Sequence, residues 1–207
     1  LIKQVMGLFM LSAAVYFLGV GFVGIFQQEG APPSRAYLWV VAGCVAVAGL
    51  WLALQTMRLA TGAGTRVTFV GIGLLLAVTS IAVGNRLTGS GPIDWKYYTP
   101  ELLESRLDNG DVVVLEFTAE WCLNCKLLEG TVLNDPAVAE ALGADGVTPI
   151  KIDLTGNNVS GNALLDDLDG LLIPLLIVMT PSGEEVFRGD FYTIKQVLEA
   201  IKQAKDH

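Results

Sequence analysis

Val112-Val113-Val114-Leu115-Glu116-Phe117-Thr118-Ala119-Glu120-Trp121-Cys122-Leu123-Asn124-Cys125-Lys126 carries the reading of this chain. The apolar run 112–117, broken only by Glu116, reads as a buried strand. Cys122 and Cys125 fall where that strand gives way to a helix. Thiols at this spacing can close and open a small disulfide ring. The first sits at the positive end of the helix, which favours thiolate, so Cys122 is the expected nucleophile and Cys125 the resolving thiol. The pair reads as a dithiol exchange site.

Other uses of two cysteines stay open at this point. They could form a structural disulfide or half of a zinc site. Structural zinc takes about four protein ligands, and the other candidates are Cys44, in an apolar stretch, and His207, the sole histidine. A soft dithiolate could also hold Cu(I), although no methionine or histidine lies nearby. No resident metal or cofactor is expected beyond the Cys122–Cys125 disulfide itself.

Glu116 is the odd residue of its strand. Buried among apolar neighbours, its carboxyl would have a raised pKa and could exchange protons with Cys125; on an edge strand it would point outward instead. Trp121, beside the nucleophile, would shape a partner surface or serve as an ordinary core residue. Lys126 could help hold negative charge but is expected to point into solvent.

Working outward, the 207 residues are 52% hydrophobic, with a mean hydropathy of +0.53. Residues 1–90 hold five basic residues and one acid, whereas residues 91–207 hold eight basic and twenty acidic ones. A switch of that size marks a domain boundary, and the acidic half offers no basic surface for nucleic acid.

Three uncharged stretches fill the first half, expected as membrane-spanning helices at about 4–28, 36–57 and 67–85 within a unit 1–87. A bilayer core takes about 20 apolar helical residues, so each is long enough to span. Residues 1–26 lack the small-residue cleavage pattern of a signal peptide. Arg58 and Arg66 flank the second connection and place it on the cytoplasmic side, with Lys3 placing the amino end there too; Arg86 opposes this. Residues 91–207 are then carried to the outer side. Leu1 is not an initiator methionine, and the chain is expected to be the carboxyl-terminal part of a longer membrane protein. Gly19-Val20-Gly21-Phe22-Val23-Gly24 spells a dinucleotide fingerprint inside an apolar span, without the strand or acid that fingerprint needs. Its glycines are expected to serve helix packing.

Residues 88–98 form a breaker-rich linker, and 99–207 the second domain. Thr99-Pro100 starts a helix that Asn109-Gly110 stops. Asp135-Pro136 caps another, 147–154 is a strand, Ser160 caps a short helix, and 171–179 is an apolar strand entered through Ile173-Pro174. Pro181-Ser182-Gly183 turns into a strand at 184–188. Thr193 caps a last amphipathic helix. Asn158-Val159-Ser160 is a glycosylation triplet, relevant only to a luminal eukaryotic domain. The expected fold class is membrane helices followed by an α/β domain with a mixed central sheet and helices on both faces.

The order and size match the thioredoxin fold, and the segment 115–126 resembles the active site of thioredoxin-like proteins. With Glu129 and Thr131-Val132-Leu133-Asn134-Asp135-Pro136, it most resembles the outer domain of the DsbD family, transmembrane thiol:disulfide interchange proteins. The resemblance covers about residues 95–205 strongly and 1–90 loosely. It implies a protein-disulfide reductase of the bacterial inner membrane with its thioredoxin-like domain in the periplasm. Electrons would pass through Cys122 and Cys125 to periplasmic disulfide-bearing proteins, including disulfide isomerases and cytochrome c maturation proteins. It also implies that Glu116 is the buried acid of the fold, that Glu129 is a second acid near the thiols, and that Ile173-Pro174 is the substrate-facing cis-proline site. One departure stands out. The family's membrane domain has its own redox cysteine pair, yet residues 1–90 contain only Cys44, so that pair is expected upstream or on another polypeptide. The alternatives are a tethered oxidase or isomerase, and a Cu(I)-binding assembly factor.

Overall fold

The computed structural model describes residues 2–26, 30–89 and 91–206. The expected end of the first span at Gln28, Ser90 of the linker and His207 lie outside them. The chain divides into two compact units: one holds the three long helices apart from the last three residues of the first, and the other holds residues 24–26 and 30–33 with those after Gly89.

The first unit contains α1 (Ile2–Phe26), α2 (Ala36–Leu59) and α3 (Ala63–Thr88). Each includes a window long and apolar enough to cross a membrane, Met6–Phe26, Ala36–Leu59 and Ala63–Thr88. Small residues let α2 and α3 approach: a Cβ on Gly49 would stand 2.5 Å from the Gly73 carbonyl oxygen. Helices packed in lipid use small residues in this way, because backbones must come close for van der Waals contact to build up. Of the fingerprint-like glycines, Gly19 lies against the Tyr37 ring while Gly21 faces open space. The motif is therefore helix packing in part and chance in part.

The second unit is built on a five-stranded sheet: β1 (Lys96–Tyr97), β2 (Val112–Thr118), β3 (Val147–Asp153), β4 (Leu175–Met179) and β5 (Glu185–Gly189), in the order β1-β3-β2-β4-β5. β2 pairs parallel with β3, β3 parallel with β1, and β4 antiparallel with both β2 and β5, so the sheet is mixed. Every residue of β2, β3 and β4 is buried. That burial explains their near-continuous apolar runs, since a central strand covered on both faces has no wet side to alternate with.

Alternation along β2 divides the core in two. Val113, Leu115 and Phe117 face one layer with Ile150, Ile152 and Ile177, covered by α4 (Pro100–Asp108) and α7 (Val159–Asp167). Val112 and Val114 face the other layer with Leu176, Val178, Leu133, Leu142 and Ile201, under α5 (Leu123–Leu128), α6 (Pro136–Leu142) and α8 (Ile194–Lys205). By the same alternation Glu116 and Thr118 belong to this second face. Leu142 is fully buried there. Leu142→Ala should lower the stability of this unit by about 3 kcal/mol while leaving dithiol chemistry intact. Denaturant unfolding beside a thiol-reactivity assay would check both halves of that statement.

Local chemistry sets the helix ends. Thr99 accepts from Leu102 N, with Pro100 in the first turn of α4. Thr193 and Gln196 cap α8 reciprocally, satisfying amides that otherwise lack partners. Two expectations need correcting. The helix at 159–167 is capped by Asn158, not Ser160: Asn158 Oδ1 accepts from Gly161 N, and its Nδ2 donates to the Asp153 carbonyl. The stretch expected as linker contains β1, an edge strand too short to show any period in sequence.

Candidate active site

The site forms where β2 ends and α5 begins. Cys122 is the N-cap of α5, and its Sγ accepts from Cys125 N at 3.2 Å. The two cysteines are joined as a disulfide with their Cα atoms 5.3 Å apart. They pack with Ala119 and with Ile173. The Ile173–Pro174 peptide bond is cis, and β4 starts at the next residue, so the sheet itself brings this loop against the dithiol. Cys125 is 1% exposed and Cys122 7%; the resolving sulfur is the deeper one.

Around this small closed patch the surface is apolar and open. Trp121 is 54% exposed, Leu123 81% and Leu171 91%, and Leu172 is exposed beside them. Trp121 is thus a surface residue, not a core one. Trp121 and Leu123 flank Cys122 in the chain, and Leu171 and Leu172 precede Ile173, which packs against the dithiol.

On the sheet face that α5 covers lies a cluster of charges. Glu116, on the face of β2 under α5, is 2% exposed. Strand pairing places Glu116 opposite Lys151 of β3, and both side chains project to the same face. Lys151 Nζ lies 3.2 Å from Glu116 Oε2 and 2.7 Å from Glu129 Oε1. Glu129 stands at the start of a π-helical turn, Glu129–Leu133, that continues α5. Such wide turns re-aim side chains, and here the acid is turned onto Lys151. The Glu116–Lys151 contact is an ion pair without hydrogen-bond alignment, since Glu116 Oε2 has no hydrogen-bond partner among the described residues.

Burial pushes the Glu116 carboxyl up to about 7; Lys151 pulls it down, and Glu129 adds to the rise. A buried acid that loses its hydration favours the neutral form unless a cation compensates. Burial lowers the Lys151 pKa, but the charges of Glu116 and Glu129 outweigh it and leave the ammonium firmly protonated. A carboxyl titrating near neutrality over a fixed buried cation is suited to taking and returning one proton.

A second cluster flanks the first. Lys126 does not point freely into solvent: it donates to Glu120 at 2.8 Å and lies 3.7 Å from Glu129. Asp153 accepts from the amide and hydroxyl of Thr155, and Thr155 Oγ1 accepts from Glu120 N. Burial raises the Asp153 pKa. These contacts tie the β3 exit to the residue before Trp121. Lys151, Glu120 and Asp153 join the site without being singled out by sequence alone. A charged residue inside an apolar strand was the usable signal, the same one that singled out Glu116. Cys44 is a free thiol of α2 in the other unit. Among the described residues, no three of His, Cys, Asp and Glu come together as a metal site.

Residues 94–181 match the family model described as thioredoxin-like. The second unit is a thioredoxin-like domain with a Cys-x-x-Cys pair. More particularly, the chain is similar to thiol:disulfide interchange proteins named DsbD. DsbD 1 of Pseudomonas aeruginosa is 25% identical over 211 residues, 89% of this chain and 33% of its own length. DsbD 2 of the same organism is 31% identical over 155 residues, 73% and 25% respectively. DsbD of Salmonella typhimurium is 38% identical over 76 residues, 37% and 13%. The chain therefore spans a third or less of the length of these curated relatives. The oxidised carboxyl-terminal domain of Neisseria meningitidis DsbD is 25% identical, with a TM-score of 0.44, over 52% of this chain and 97% of that one.

Proposed function

We propose that this chain is the carboxyl-terminal part of a protein-disulfide reductase of the bacterial inner membrane. In this reading its thioredoxin-like domain faces the periplasm and passes electrons from a membrane dithiol to disulfide-bearing proteins there, including disulfide isomerases and cytochrome c maturation proteins. The observation that carries the reading is a helix-capping Cys122 joined to a deeper Cys125, at the end of a strand that carries the buried carboxyl of Glu116. The donor dithiol lies outside residues 1–90, which hold only Cys44.

Cys122 thiolate attacks one sulfur of a substrate disulfide, forming a mixed disulfide and releasing the first substrate thiolate. Cys125 gives its proton to Glu116, and its thiolate attacks Cys122 Sγ. The second substrate thiolate leaves, the Cys122–Cys125 disulfide closes, and two electrons have moved to the substrate. A membrane dithiol then reverses these steps on the Cys122–Cys125 bond. Lys151 fixes Glu116 and Glu129 within reach of α5, whose buried residues include Cys125. The apolar rim of Trp121, Leu123, Leu171 and Leu172 would receive the partner, and the loop at Ile173-Pro174 would present backbone groups to it.

The dithiol midpoint potential tests direction. Equilibration of the chain with dithiothreitol and glutathione buffers should place it near the thioredoxin value of about −270 mV. A value near about −120 mV, that of a strong disulfide oxidant, would make the domain an oxidase.

A further inference from the structure

We propose that Trp95 is a positioning residue of the redox site, acting through Lys151: its ring face holds the buried ammonium where it can serve Glu116 and Glu129 together. This rests on the proton role given to Glu116 above. Lys151 is 3% exposed, so its ammonium has lost most of its water. Three groups replace that water: Glu129 Oε1 at 2.7 Å, Glu116 Oε2 at 3.2 Å, and the Trp95 ring with its centroid 4.7 Å away. A ring face attracts a cation through its quadrupole, and the attraction grows when the cation is desolvated.

The ring is held in place. Trp95 precedes β1, whose Tyr97 pairs with Lys151 and whose Lys96 pairs with Ile150. Tyr98 N donates to the Lys151 carbonyl at 3.0 Å, and Trp95 N donates to the Ile93 carbonyl. Ile93 and Trp95 both pack into the core layer that contains Leu128 and Leu133. The segment thus clamps the Lys151 backbone from one side and its ammonium from the other.

Glu116 is faced by Lys151 of β3, Glu129 of the π turn, Lys126 of α5 and the Tyr192 hydroxyl before α8. Lys151 is faced by Glu116, Glu129 and Tyr97. Among these neighbours Trp95 carries neither charge nor titrating proton, so replacing it moves the ammonium without changing the charge count. Without the ring, Lys151 settles on its nearer partner, Glu129. Glu116 then loses part of the pull that opposes its burial and keeps its proton to higher pH.

The test uses the full chain in detergent, reduced, with Cys122 labelling by iodoacetamide followed from pH 5 to 9. Peptide mass reports Cys122 separately from Cys44 and Cys125. Beside the rise from the ionisation of Cys122 itself, wild type should show a second inflection near neutral pH that Glu116→Gln removes. Lys151→Met should move it upward by about one unit, Trp95→Leu by about half a unit in the same direction, and Trp95→Phe should leave it in place. Trp95→Met stands in if the leucine variant does not fold. An unmoved inflection in Trp95→Leu, or equal shifts in the leucine and phenylalanine variants, overturns the proposal while Glu116 keeps its role. Persistence of the inflection in Glu116→Gln removes the proton assignment itself.

Discussion

Cys122→Ala should abolish disulfide reduction, a loss of at least about a thousand-fold, because no other thiolate in the domain can begin the exchange. Cys125 is 1% exposed and cannot meet a protein disulfide, and Cys44 belongs to the other unit. Cys125→Ala should behave differently. Its Cys122 still attacks, but nothing resolves the mixed disulfide, so covalent complexes with partners accumulate. Non-reducing electrophoresis of membranes expressing the variant would display them, and mass spectrometry would name the partners. Equal activity loss in the two variants with no trapped species would mean that Cys122 is not the attacking thiol.

The second large effect concerns pH. In the unfolded chain the Glu116 carboxyl titrates at its ordinary 4.5, whereas in the folded domain it titrates at about 7. Between those values the folded state keeps a proton that the unfolded state has released. A raised carboxyl pKa therefore contributes stability at low pH that is lost as pH rises toward 7. The loss across that window is on the order of 3 kcal/mol. Asp153, also raised by burial, acts with the same sign. Lys151, raised above 10.5, loses its contribution only in strong alkali, outside the window. Hydrogen exchange of β2 and β3 amides, corrected for intrinsic rates, should show protection falling between pH 5 and pH 8. Glu116→Gln should flatten most of that slope. An equally steep slope in the variant would show that another group carries the proton.

Much of the domain was legible because its signals are local. The apolar run of β2, the cysteine spacing and the caps at Thr99, Asp135 and Thr193 each fall within a few residues. Glu116 was legible as an acid where only apolar residues belong. Lys151 carries the same mark in β3, yet its meaning depends on the β2–β3 register, a pairing between strands about thirty-five residues apart. The Lys126–Glu120 pair and the turn of Glu129 toward Lys151 likewise depend on where α5 widens into a π turn. β1 has two residues and no period, so only its pairing with β3 defines it. Asn158 displaced Ser160 as a cap because its amide also reaches the Asp153 carbonyl, a contact outside its own helix.

The most direct measurement follows the two sulfurs themselves. The reduced chain is mixed with a protein carrying one disulfide, quenched with acid at intervals, alkylated and weighed peptide by peptide. The Cys122–Cys125 peptide should lose two alkylatable thiols as the substrate gains two, through a transient species joined at Cys122. If those thiols stay reduced while the substrate disulfide persists, the exchange chemistry assigned to this domain is wrong.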